Sequence, residues 1–151
     1  MAAALAILCY YLISHYLVQS VQVVGSSMSP TLHDSEHYLL NRWVYHFRNP
    51  QRRDIVVIRD PEAHCYSVKR IVGLPGDAID LKNGHVYINN EQLPEPYLNP
   101  SICTWPLGTN TAELVLEGDK FYVLGDNRGN SADSRVYRGV PRENIIGMLV
   151  R

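Results

Sequence analysis

Ala78-Ile79-Asp80-Leu81-Lys82-Asn83-Gly84-His85-Val86-Tyr87-Ile88 sets two alternating apolar runs on either side of Asn-Gly. Asn-Gly readily takes the left-handed dihedrals of a two-residue turn, so the segment reads as a β-hairpin. Similar runs recur upstream at Val21 to Val24, Tyr38 to Tyr45, Ile55 to Ile58 and Tyr66 to Val72. Downstream they return at Phe121 to Leu124 and Ile145 to Val150. Breakers such as Asp60-Pro61 and Gly73-Leu74-Pro75-Gly76 bound them. Short strands with almost no helix after residue 20 predict a mainly β domain, a compact barrel or sandwich, over residues 20–151. The alternation lapses around Pro94, Pro96, Pro100 and Pro106, which predicts a small proline-rich excursion over about residues 91–111.

Before the first strand the pattern is different. Ala2 to Val18 is apolar except for Ser14 and His15 and reads as a helix. It is slightly short against the roughly 20 residues of a usual bilayer span. A cleaved leader would show a basic start and a small-x-small site before the Gly25-Ser26 turn, and neither is present. Residues 1–19 are therefore read as a transmembrane anchor helix.

Composition narrows the classes of function. A chain of 151 residues supports one domain with a small appendage. Fourteen Lys+Arg against fifteen Asp+Glu leave a net charge of −1, so no basic face for nucleic acid is expected. With 46% hydrophobic residues, whole-chain disorder is excluded. Only three cations are lysines, at Lys69, Lys82 and Lys120. Ten tyrosines, with Trp43 and Met28, suggest a face resting on a bilayer interface. Cys9, Cys65 and Cys103 are too few and scattered for a zinc site, and the six histidines form no metal motif. Cys65 and Cys103 are read either as unpaired small hydrophobes or as one disulfide.

Three segments carry candidate chemistry. Gly25-Ser26-Ser27-Met28-Ser29-Pro30-Thr31-Leu32 is a serine-rich turn after a strand, where Gly25 permits a close bend and Pro30 holds Ser29 extended. In Cys65-Tyr66-Ser67-Val68-Lys69-Arg70-Ile71-Val72, strand alternation puts Lys69 and Arg70 on opposite faces, so one of them points to a more buried side. A desolvated lysine can lose its proton and act as a base, whereas arginine cannot. Lys82 and Lys120 fall in hairpin turns, where exposure is expected. Gly125-Asp126-Asn127-Arg128-Gly129-Asn130-Ser131-Ala132-Asp133-Ser134-Arg135 has calcium-loop chemistry in part, but it contains two arginines and lacks a closing acid. It reads instead as a polar loop cross-braced by Asp–Arg pairs that hold a serine.

Taken together, these segments resemble the type I signal peptidases, membrane-bound serine proteases that remove leader peptides. Ser27 to Leu32 is similar to the family's nucleophile box, Lys69 to Asp77 to its general-base box, and Gly125 to Arg135 to its last box. The resemblance implies Ser27 as nucleophile, Lys69 as general base, and Ser131 as the group that orients the lysine. It further implies that Asp133 and Arg135 brace the loop, with help from Asp126 and Arg128. The backbone N–H of Ser27 would bind the oxyanion. Some members add a hydroxyl two residues earlier, where Gly25 stands here, so Ser26 or another donor would have to serve.

The activity implied is cleavage of exported preproteins after small-x-small motifs at a cell membrane. The chain would be single-pass and monomeric, with its catalytic domain outside the cytoplasm and with no cofactor or metal. The rival readings are an organelle or conjugation-type maturation peptidase with the same dyad, and a silent peptide-binding β module.

Overall fold

The computed structural model describes residues 2, 4–7, 18–107 and 113–150. Its strands begin with β1 (Val18–Gln22), β2 (His37–Asn41), β3 (Ile55–Arg59), β4 (Tyr66–Gly73), β5 (Ala78–Lys82) and β6 (His85–Ile88). They continue with β7 (Glu91–Gln92), β8 (Leu114–Val115), β9 (Lys120–Leu124), β10 (Val140–Pro141) and β11 (Ile145–Val150). Two one-turn helices, α1 (Val44–Phe47) and α2 (Ser134–Tyr137), and a 3₁₀ turn at Arg142–Asn144 lie between the strands, and residues 4–7 are helical. A seven-stranded sheet has the order β1-β2-β11-β3-β4-β9-β10, and a four-stranded sheet has the order β7-β6-β5-β8. Every pairing is antiparallel.

The hairpin is present as read. Asn83 and Gly84 take φ of 54° and 77°, and Lys82 pairs with His85. β4 is the joint of the molecule, because its side chains enter three cores. Ile71 packs with Val56, Ile58 and Val123. Val72 packs with Ile79, Val86 and Leu124. Val68 lies against Met28, Leu32, Leu40 and Val57. Each fully buried aliphatic side chain contributes roughly 1.5–3 kcal/mol, so these clusters fix where β4 sits.

The structure departs from the sequence reading at several points. The domain is mainly β as expected, but the large sheet is open among the described residues, with β1 and β10 at its edges, so it forms a half-barrel rather than a closed barrel. The small sheet packs on one of its faces through Val72, Tyr122 and Leu124. The large sheet is curled: β1 and β4 are well separated in strand order, yet both line one cavity. The strand expected over Tyr38 to Tyr45 stops at Asn41. The Asn41 side-chain oxygen accepts from the N–H groups of Trp43 and Val44, both at 3.0 Å, and turns the chain into α1.

Most of the proposed anchor lies outside the described residues. Among those that are described, no helix is long and apolar enough to cross a membrane. Val18 and Gln19, read as the end of the anchor, belong to β1 and pair with Asn41 and Leu40. Met28 is only 1% exposed and forms no surface, whereas Trp43 is open to solvent. Cys65 and Cys103 are exposed and unpaired, so they are neither a disulfide nor core residues.

Candidate active site

The turn after β1 is built to present Ser27. Gly25 adopts φ +98°, and its N–H donates to the Asp34 carboxylate at 2.7 Å. That bond, with one from the Ser35 hydroxyl, holds the Asp34 carboxyl below its usual value. Met28 and Leu32 are each 1% exposed and anchor the turn in the core, while Ser27 remains half-buried. Two asparagines clamp the turn from above. Asn127 donates its backbone N–H to the Ser27 carbonyl at 2.9 Å and its side-chain amide to the Ser26 carbonyl at 3.1 Å. Asn130 donates to the Ser26 hydroxyl oxygen at 2.9 Å.

Lys69 stands on β4 opposite Val56 and is 3% exposed. Among the described residues it makes no ion pair and no hydrogen bond. Burial pushes its amine below the ordinary 10.5, and the negative charges of Asp133 and Asp60 oppose that shift. Both adjacent cations are buried, not just the one expected on the more buried side, since Arg70 is 6% exposed. The reason is that both faces of β4 are covered. Arg70 survives burial through a bidentate pair with Asp126, at 2.8 and 2.6 Å. The other two lysines stand at strand ends rather than in the turns: Lys82 closes β5 beside Asp80 at 3.0 Å, and Lys120 opens β9, exposed.

The last segment closes the site. Leu124 pairs with Arg70, so Gly125 emerges beside Lys69. A Cβ on Gly125 would fall 2.2 Å from the Ser131 Oγ and 2.5 Å from the Ser27 carbonyl oxygen. Only glycine lets the two serine segments approach this closely. Asp133 is wholly buried and holds the loop in shape. It accepts from the Gly125 N–H at 3.0 Å, caps α2 by accepting from the Arg135 N–H, and takes both Nε and Nη2 of Arg135 at 2.8 and 2.9 Å. Arg135 also donates to the Ser131 carbonyl at 3.2 Å.

Arg135 thus links Asp133 to the Ser131 backbone, whereas Asp126 and Arg128 reach outside the loop. Asp126 binds Arg70 and Arg128 binds Glu95, each reaching another part of the chain. The Ser131 hydroxyl is buried with no hydrogen-bond partner among the described residues. Such a group costs roughly 1–3 kcal/mol. It is a free hydroxyl facing the place where the serine turn, β4 and the last loop meet.

A cavity of about 580 Å³ is walled by Val21, Val23 and Val24 from the β1 side and by Val57, Val68 and Ile146. Ser27, Lys69 and Ser131 are not among its lining residues, although Val24 and Val68 adjoin Gly25 and Lys69 in the chain. The sequence reading missed Asn127, Asn130, Asp34 and Glu95. The two asparagines lie inside a motif it did recognise, but an asparagine in a polar loop gives no sign of which segment it will clamp. A half-buried serine hydroxyl on one segment and, on β4, a buried amine whose charged form burial penalises are the two groups that nucleophilic acyl transfer needs.

Comparison with known proteins agrees with this architecture. The model of the family described as signal peptidase, peptidase S26, matches residues 1–150. A signal peptidase I of Bacillus amyloliquefaciens is 39% identical over 150 residues, which cover 96% of this chain and 78% of its own. Signal peptidase I U of Bacillus subtilis (strain 168) is 42% identical over 134 residues, covering 83% of this chain and 70% of its own. A crystal structure of a signal peptidase I from Enterococcus faecalis V583 matches with a TM-score of 0.59 at 30% identity, covering 68% of this chain and 98% of that one. The chain therefore belongs to the signal peptidase family, peptidase S26, and is a protease of the signal peptidase I type.

Proposed function

We propose that the chain is a membrane-bound serine endopeptidase that removes N-terminal leaders from exported preproteins, with Ser27 as nucleophile and Lys69 as general base. The observation that carries this reading is the burial of Lys69 without an ion pair or hydrogen bond among the described residues. A structural lysine would be paired, while a base must be neutral at working pH.

In the acylation step the Lys69 amine takes the Ser27 hydroxyl proton as the oxygen attacks the scissile carbonyl. The tetrahedral oxyanion accepts from the Ser27 N–H. Gly25 offers no side-chain donor, and Ser26, held by Asn130, is the nearest hydroxyl to add one. Collapse breaks the C–N bond, and the departing amine takes the proton back from Lys69. Lys69 then deprotonates water, which attacks the Ser27 ester; the ester C–O bond breaks, Ser27 recovers its proton from Lys69, and the leader's carboxylate is freed. Ser131 aims the amine, and Asp133 with Arg135 fixes Ser131. Cleavage after small-x-small motifs is assigned to shallow apolar pockets that accept Ala and exclude larger side chains. Trp43 and Phe47, at 42% and 83% exposure, form an apolar tip suited to a bilayer interface next to an N-terminal anchor. In this reading the chain is a single-pass membrane protein with its catalytic domain on the extracytoplasmic side.

An active-site acylating probe tests the nucleophile. It should label Ser27 and fail to label Ser27→Ala or Lys69→Ala, and sequencing of a cleaved preprotein should give a new N-terminus after a small-x-small motif. Labelling that survives Ser27→Ala would overturn the reading in favour of a silent peptide-binding module or another nucleophile.

Ser131→Ala is expected to lower kcat by roughly 10²-fold, because the positioned hydroxyl is lost. It should not lower Tm and should raise it by a few degrees, because a buried hydroxyl with no hydrogen-bond partner among the described residues is removed. Unchanged turnover would take Ser131 out of the site.

A further inference from the structure

The proline-rich excursion after β7 carries no strand through Leu107, yet it reaches into the catalytic loop through buried ionic contacts. Arg128, whose side chain is completely buried, meets Glu95 with both guanidinium ends, at 2.5 and 3.1 Å. Its Nη1 also donates to the Thr104 hydroxyl, and its Nε donates to the Gly125 carbonyl at 3.0 Å. Glu95 accepts the Tyr97 hydroxyl at 2.6 Å, and the Tyr97 ring lies 4.0 Å under the Arg70 guanidinium. Arg70 in turn holds Asp126. Both residues flanking Asn127 are thus fixed by the excursion, directly at Arg128 and through Tyr97 and Arg70 at Asp126. The N–H of Asn127 holds the Ser27 carbonyl.

We infer that Glu95 is a positioning residue for catalysis. It locks Arg128, and through the Gly125 carbonyl it sets the contact between the Ser27 turn and Ser131. The excursion is a strut for the catalytic loop. A two-point carboxylate–guanidinium fork fixes angle as well as distance, and a displacement of about 1 Å at a reacting group can lower the rate by around 10²-fold. The inference rests on Ser27 as nucleophile for its kinetic part only.

The test uses Glu95→Gln, which keeps the side chain's shape, and Arg128→Lys, which keeps the charge but loses the fork. Each should raise amide hydrogen exchange at Asn127 by tenfold or more. Each should also lower kcat by about 10- to 100-fold with KM for a preprotein and the pH midpoint of activity unchanged. The double variant should be no slower than Arg128→Lys alone, since both act through one contact. Unchanged exchange at Asn127 overturns the strut. Faster exchange with unchanged kcat, or a loss confined to KM, overturns its role in catalysis. Failure of Ser27 as nucleophile would appear separately, in labelling of the unmodified protein, and leaves the exchange result to stand or fall alone. If Glu95→Gln does not fold, Thr104→Val removes one contact to Arg128 and is read by the same two measurements.

Discussion

Lys69→Arg is expected to lower preprotein cleavage by at least about 10³-fold while the protein remains folded. Arginine keeps the positive charge, so a lysine held for structure would tolerate the exchange. A base would not, because guanidinium stays protonated at every accessible pH. In the unmodified protein, burial lowers the Lys69 pKa. The rate should therefore rise with pH through that lowered value and then level off. A rate still climbing near pH 10, where an unperturbed lysine titrates, or substantial activity in Lys69→Arg would sink the assignment. Stability follows the same sign. Between the lowered value and the ordinary 10.5, the folded chain binds fewer protons than the unfolded one. Stability rises with pH across that window and is lowest below it. Lys69→Met should remove this dependence, which chemical denaturation at several pH values would measure. Lys82→Arg and Lys120→Arg are the controls and should cleave as the unmodified protein does.

The largest expected loss of stability is in Asp126→Ala. The Asp126 side chain is wholly buried and is bound bidentately by Arg70, itself 6% exposed. Removing the carboxylate strands a guanidinium in the interior, and breaking such a pair costs about 3–5 kcal/mol. For a domain of this size the melting temperature should fall by roughly 6–20 °C. Replacing both partners, as in Arg70→Met with Asp126→Leu, should restore much of the loss, since no charge is then left buried alone. A fall below about 1 kcal/mol in the single variant would mean that water reaches Arg70 once the carboxylate is gone.

Local chemistry accounts for what could be read in advance. Asn83-Gly84 needs only its own backbone preferences to make a hairpin, and the β-branched runs name most strands by themselves. Lys69 could be singled out because its neighbours make a strand and arginine is barred from base chemistry. What escaped depends on contacts distant in sequence. Asn41 ends β2 by folding its side chain onto the next two N–H groups, a choice that competes with strand continuation. The burial of both faces of β4 arises because the small sheet covers one side, and no pattern within β4 reveals that. Glu95 lies 33 residues from Arg128, in a stretch whose prolines looked only like interruption. Gly25, Ser27 and Ser131 were named from motifs, but the wedge at Gly125 that brings them together appears only when the β4–β9 register is known.

Asp133 has two tasks that cannot be separated. It supports the loop through Gly125 and Arg135, and its charge raises the proton affinity of Lys69. Asp60 also raises that affinity, yet among the described residues its side chain accepts from the N–H groups of Glu62 and Ala63, which an asparagine oxygen could equally satisfy. Adaptation to a different ambient acidity is therefore blocked at one carboxylate and open at the other. A lineage moving into acidic surroundings could neutralise Asp60 and make its base easier to deprotonate without disturbing the loop that aims it.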